Sequence, residues 1–299
     1  MKNIIGRTLQ DDLNFLTNVL NSTKGAGRPF LLKDQAAVVA AVSSYSASII
    51  NNTAKPIGLK KGQPKAKTPK AKTTKISKQV ALAAPVQPAT RDSHEHYYSL
   101  YDSRRKIITS ELNNLTKKFF GHLCPYCSID TVTHIDHYLP RSHFPEFSIS
   151  LQNFVMSCDG CNSKYKREHW GNGLKKRVFH PALDIIPPPP GGIFLEAACK
   201  YKNQAIIVKF KINNKWQGSV IERHFILMNI NERYIAKATL EEIPKIKNIL
   251  NAQNSQAAKA NELTNFINQQ IAANPPNSFL NAFYSSLPSL IGKISAGGL

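Results

Sequence analysis

The chain has 299 residues, 39 of them Lys or Arg and 19 Asp or Glu, for a net charge of +20. A hydrophobic content of 42% excludes wholesale disorder, and no stretch approaches the roughly 18 consecutive apolar residues a membrane span requires. The opening MKNIIGRTLQDD has no apolar stretch followed by small residues, so no secretory signal and a cytoplasmic protein are expected. So large a positive charge points to a polyanionic partner, nucleic acid before anionic membrane.

Residues 8–23 place Leu9, Leu13, Leu16 and Leu20 on one helical face, with Thr8 as N-cap, and residues 33–52 form a second helical candidate. Residues 1–53 therefore read as a helical N-terminal segment whose role the sequence does not give. Residues 54–90 are dominated by Lys, Pro, Ala and Thr without periodicity, which predicts a disordered linker. Nine of the lysines lie between 51 and 80 with no acidic residue among them. That stretch is either a solvated tether or a non-specific nucleic-acid arm, and composition does not separate the two.

Residues 93–120 carry Tyr97, Leu100, Tyr101, Ile107, Ile108, Leu112, Leu115 and Phe119 at helical intervals. This helix opens a module at 91–190, closed by a tetraproline at 187–190. Beyond it, 191–299 predicts strands at FLEAACKY and AIIVKFKI, a turn at Asn213-Asn214, and helices over 231–250, 255–274 and 277–292. Pro244 is expected to kink or break the first of these. The C-terminal part is a candidate docking surface for a partner protein.

Four of the five cysteines form two pairs, Cys124-Pro-Tyr-Cys127 and Cys158-Asp-Gly-Cys161. One such pair alone suits redox chemistry, whereas two in a chain without a secretory signal favour a tetrahedral structural zinc site. Cys199, unpaired in a predicted strand, reads as a buried thiol. Between the pairs lie Asp136-His137, Pro140, Arg141, Asn153 and, directly after Cys161, Asn162.

In this order the segment 120–170 resembles the HNH, or His-Me finger (ββα-metal), endonucleases in their form with two zinc knuckles. The runs His137-Tyr-Leu-Pro-Arg-Ser, Asn153-Phe and Cys161-Asn-Ser-Lys164 resemble phage-defence HNH nucleases of the retron and Septu type. Phe179-His180-Pro181-Ala182-Leu183-Asp184 and the segment from Val220-Ile221 through Leu227, Asn229 and Arg233 extend the likeness more loosely. The resemblance implies an α+β fold with a small ββα-metal core between flanking helices, a metal-dependent DNA endonuclease, and cleavage leaving a 5′-phosphate and a 3′-hydroxyl. It further implies His137 as general base, Asp136 and Asn162 as ligands of a catalytic Mg2+ or Mn2+, and Asn153 as the residue bracing the loop that bears His137.

A neutral imidazole near pH 7 can accept a proton from water, and a carboxylate with an amide oxygen suits a hard cation. His137 as a structural histidine and Asp136 as a turn or cap residue are the competing readings. His134 shares the strand face of Asp136, while His143, His169 and His180 are candidates by proximity only. Lys164, Lys166, Arg167, Lys175, Lys176 and Arg177 follow the second knuckle with Glu168 as the sole acid, either as a solvated face or, with Arg141, as a clamp on the DNA backbone. The main alternative function is a catalytically silent zinc module that binds nucleic acid or a partner. A third reading is a nuclease effector regulated by another subunit such as an ATPase.

Overall fold

A computed structural model describes residues 9–24, 28–51, 55–57, 93–103, 121–170, 178–187 and 191–299, with single positions at 110, 113 and 117. The cap at Thr8, the linker beyond Ile57, most of 104–120, and Lys175, Lys176 and Arg177 lie outside these residues. The described part is mixed helix and sheet, an α+β fold with two separate two-stranded antiparallel sheets.

The first helix, α1 (Leu9–Ser22), buries Phe15, Leu16, Val19 and Leu20 along one face. Of the predicted leucines, Leu16 and Leu20 are buried, Leu13 is partly so and Leu9 is exposed, because the buried face turns toward Phe15 and Val19. A short helix the sequence did not announce, α2 (Arg28–Lys33), comes next, and the helix predicted over 33–52 is two short ones, α3 (Gln35–Ser43) and α4 (Tyr45–Ile50), with breaks at Asp34 and Ser44. They pack on one another and on α5 (Ser93–Ser103).

Strand β1 (His134–His137) pairs antiparallel with β2 (Phe154–Ser157), Asp136 opposite Val155 and His137 opposite Phe154. The connection from Tyr138 to Asn153 is too long for a hairpin turn and folds as an irregular loop with two 3-10 turns. After β2 the second cysteine pair leads into a π-helical segment, Gly160–Lys166. Two antiparallel strands joined by this loop are thus followed by one helical segment.

The second sheet pairs β3 (Leu195–Lys202) with β4 (Ala205–Ile212), where Ile206, Val208, Phe210 and Ile212 alternate inward. Its turn is Asn203-Gln204, with φ of 52° and 56°, the left-handed pair that a tight hairpin turn uses. The predicted turn at Asn213 stands one step later, where the Asn213 side chain accepts from Lys215 N at 3.0 Å and opens a 3-10 turn.

Helices α6 (Val220–Leu227), α7 (Ile230–Lys237), α8 (Ile243–Asn251), α9 (Gln256–Ala273), α10 (Phe279–Ser285) and α11 (Ile291–Gly297) complete the chain. Pro244 sits in the first turn of α8 just after a π-helical segment, Ala238–Glu242. Its missing N–H breaks the regular ladder, and the chain absorbs the gap as a wider turn rather than a sharp kink. Among the described residues no helix is long and apolar enough to cross a membrane.

Candidate active site and metal centre

Cys124, Cys127, Cys158 and Cys161 are all buried, and their sulfurs lie within 4.8 Å of one another. The first knuckle is closed by Cys124 N donating to Asp130 O and Ser128 N to Cys124 O, both at 2.7 Å. Tetrahedral zinc with Zn–S near 2.3 Å implies sulfurs about 3.8 Å apart. The Cys127–Cys158 sulfur separation is 3.8 Å. The group can hold a metal ion such as zinc. Cys199 stands apart in β3 and accepts from Ser286 Oγ at 2.9 Å.

His137 ends β1 half-buried, its ring edge-on to Tyr101 and Phe154 with centroids 4.6 and 5.0 Å away. Its Nε2 lies 2.9 Å from Ser148 O. A carbonyl can only accept, so Nε2 carries the proton and Nδ1, to which no described residue donates, is the nitrogen left as an acceptor. Burial, more than any neighbour, pushes this imidazole down to about 4, so it is neutral near pH 7.

Asn153 is fully buried behind the histidine. Its Oδ1 accepts from Leu139 N at 2.8 Å, and its Nδ2 donates to Leu139 O at 3.0 Å and Phe147 O at 3.2 Å. The amide thus pins the chain two residues past His137 in both directions.

Asp136, His137 and Asn162 line one open cleft of about 310 Å³, rimmed by Arg141, Arg167, Tyr98 and Tyr101. Asp136 enters it with a carboxylate already engaged. Oδ2 accepts from Tyr126 Oη at 2.8 Å, and Lys166 Nζ stands 3.1 Å from Oδ1 and 3.0 Å from Oδ2. This corrects the placement of Lys166 in the DNA clamp. Its side chain has no exposed surface and cannot meet a phosphate.

Arg141 pairs with Asp102 at 2.9 Å and lies over the Tyr98 ring at 4.7 Å, at the cleft rim. Arg167 is exposed beside it, with a φ of 45° that costs a non-glycine residue strain. Lys164 is exposed over Tyr165. His134 lies 3.7 Å from Asp159 and His143 3.5 Å from Glu168, both at the surface, while His180 is buried against Tyr138 at 4.4 Å. His169 is exposed and is absent from the cleft lining.

Sequence patterns did not reveal what holds this loop from outside. Buried Asp12 of α1 accepts Leu151 N and Ser150 Oγ, each at 2.7 Å, and Gln152 Nε2 at 3.2 Å. Tyr45 Oη donates to Asn153 Oδ1 at 3.0 Å, and Ser46 Oγ to Gln152 at 2.7 Å. A relay also runs from Leu31 O to Tyr97 Oη, then from Tyr97 O to Ser148 Oγ, each step 2.6 Å, and Ser148 O holds His137. An acid in a helix's first turn ordinarily reads as a dipole partner, so Asp12 gave no local signal.

The C-terminal part backs the cysteines. Arg233 donates to Cys161 Sγ at 3.3 Å and to Asp130 at 2.7 Å, while Tyr234 Oη and His224 Nε2 hold the Cys127 and Tyr126 carbonyls at 2.8 and 2.7 Å. Arg233 belongs to the looser segment of the resemblance, which is where a sequence signal for it lay.

No protein-family model matches the chain, and no solved structure matches it. Among curated proteins, it is 32% identical over 128 residues to protein ea31 of Escherichia phage lambda. That alignment takes in 40% of this chain and 41% of the phage protein, so the chain spans about two-fifths of its relative's length.

Proposed function

We propose that the chain is an HNH-type endonuclease that hydrolyses phosphodiester bonds in DNA, with a structural zinc at the four cysteines. The observation that carries the reading is His137, its proton fixed on Nε2 by Ser148 O and its neutral Nδ1 available, in a cleft shared with Asp136 and Asn162 and rimmed by Arg141 and Arg167. In this reading Nδ1 takes the proton from the attacking water, Asn153 keeps the loop after His137 in register, and the arginines and Lys164 hold the phosphate backbone. Lys175 and Lys176 extend that clamp on sequence grounds alone.

A magnesium or manganese ion would polarise the phosphate and stabilise the leaving oxygen. The oxygen donors are of the right kind, but Asp136 does not fit as a ligand while Lys166 and Tyr126 occupy it, and no step is assigned through the ion. The antiviral role and regulation by an ATPase-type partner are proposed on the resemblance.

Plasmid and single-stranded DNA, incubated with the full chain in Mg2+, Mn2+ or chelator, test the reading. Cleavage that His137→Ala abolishes supports it, and cleavage that survives this change removes His137 as the base. A folded chain that binds DNA and never cuts it is the silent zinc module instead.

A further inference from the structure

The cation beside Asp136 belongs to the chain itself. Lys166 leaves the C-terminal end of the π-helical segment and turns inward, with its side chain fully buried and that of Asp136 4% exposed. An ammonium has three protons to give. Here they have the Asp136 carboxylate, His137 O at 2.8 Å and Arg167 O at 3.4 Å as acceptors. Tyr126 takes a further lone pair of Asp136 Oδ2.

Such a pair is held together by desolvation, because removing either member strands a charge away from water. An approaching divalent ion would meet a carboxylate that is already neutralised, almost closed to solvent and 3.0 Å from a positive charge. Mg2+ in particular keeps several of its waters, and a carboxylate this covered leaves them little room.

We infer that Lys166 is a resident counter-ion that closes Asp136 to divalent cations, so that Mg2+ or Mn2+ gains this carboxylate only by displacing the ammonium. The inference rests on reading this cleft as the reacting site, but it concerns cation binding and is measured without substrate. Asn162, also on the cleft, is half-exposed and has no cation paired with it among the described residues.

The test is Mn2+ titration of the full, zinc-loaded chain, followed by electron paramagnetic resonance of free Mn2+, with circular dichroism and zinc content as checks of folding. Lys166→Met removes the charge at similar length. It should bind Mn2+ at least tenfold more tightly than the parent chain, and the double variant Lys166→Met/Asp136→Asn should lose that gain. In the parent background, Asp136→Asn should leave Mn2+ affinity within twofold.

A tenfold loss on Asp136→Asn alone would overturn the inference, because the carboxylate would then be an ion ligand with Lys166 in place. So would a folded Lys166→Met with unchanged affinity. Should Lys166→Met fail to fold, the Asp136→Asn comparison still decides. Absence of DNA cleavage by the parent chain counts against the nuclease reading and leaves these affinities unaffected.

Discussion

Replacing Asp12 by alanine removes the carboxylate through which α1 hydrogen-bonds the loop before Asn153. Its two oxygens accept from Leu151 N and Ser150 Oγ at 2.7 Å, with Gln152 Nε2 at 3.2 Å and Gln152 N at 3.4 Å as weaker partners. Burial raises the pKa of this carboxyl, which shows that its desolvation offsets part of what the bonds contribute. Hydrogen bonds to a charged group are worth about 1.5–3 kcal/mol each, and stranded donors cost about 1–3 kcal/mol. Two strong bonds, together about 3–6 kcal/mol, less the relieved desolvation give an expected loss of roughly 2–4 kcal/mol in urea unfolding. Asp12→Asn keeps the acceptor for Leu151 but turns an amide toward the Gln152 donors, and should lose about 1–2 kcal/mol. The folded asparagine variant should bind DNA normally yet cleave it more slowly, because the loop carrying Ser148 and Asn153 sets the His137 ring. An alanine variant within about 0.5 kcal/mol of the parent chain, cleaving at the parent rate, would refute the claim that α1 positions this loop.

Cleavage should keep its basic form well below neutrality, because the His137 imidazole titrates near 4, and a pH–rate profile with its acid limb near 6.5 instead would place the base elsewhere. Arg233→Met should leave the four thiols in place but weaken zinc retention about tenfold to a hundredfold, read by chelator competition, since it removes the cation beside Cys161. His224, pushed to about 4 mainly by burial, stays neutral in the fold while the unfolded chain takes up a proton below about 6.5. It therefore costs stability as pH falls from 6.5 toward 4, and His224→Gln should flatten that decline in unfolding scans. Buried Glu146, raised to about 7, works in the opposite sense by binding its proton in the fold first, so Glu146→Gln should steepen it. Deleting residues 58–90, which spares the Ile57 N–Glu146 bond, should weaken DNA binding and flatten its salt dependence while leaving the cleavage rate at saturating DNA unchanged.

What local pattern could carry was legible. The helix of α1 with its buried Leu16 and Leu20, the alternation of β4 and the two cysteine pairs follow from periodicity and spacing, which a single stretch of chain expresses. Lys166 shows where that stops. In a basic run it reads as solvated or as a phosphate contact, and only the closing of Gly160–Lys166 against β1 turns it inward to Asp136. Asp12 and Leu151 stand 139 positions apart, and no rule of spacing connects them. The helices of 33–52 were legible as helix, but not the breaks at Asp34 and Ser44 that let Tyr45 reach Asn153.

The cysteine centre is completed late in its own chain. Asp12, Leu31 and Tyr45 are synthesised long before the loop they hold, and Arg233 and Tyr234 come after both knuckles are complete. A ribosome that has released residues 1–190 has made every candidate reacting group and the supports of their loop, but not the Arg233, Tyr234 and His224 contacts behind the cysteines. For a protein whose proposed chemistry cuts DNA, that ordering delays a fully braced cysteine centre until the C-terminal part is made. It also means that a fragment released by proteolysis between the modules would lose the site's supports together with its linker.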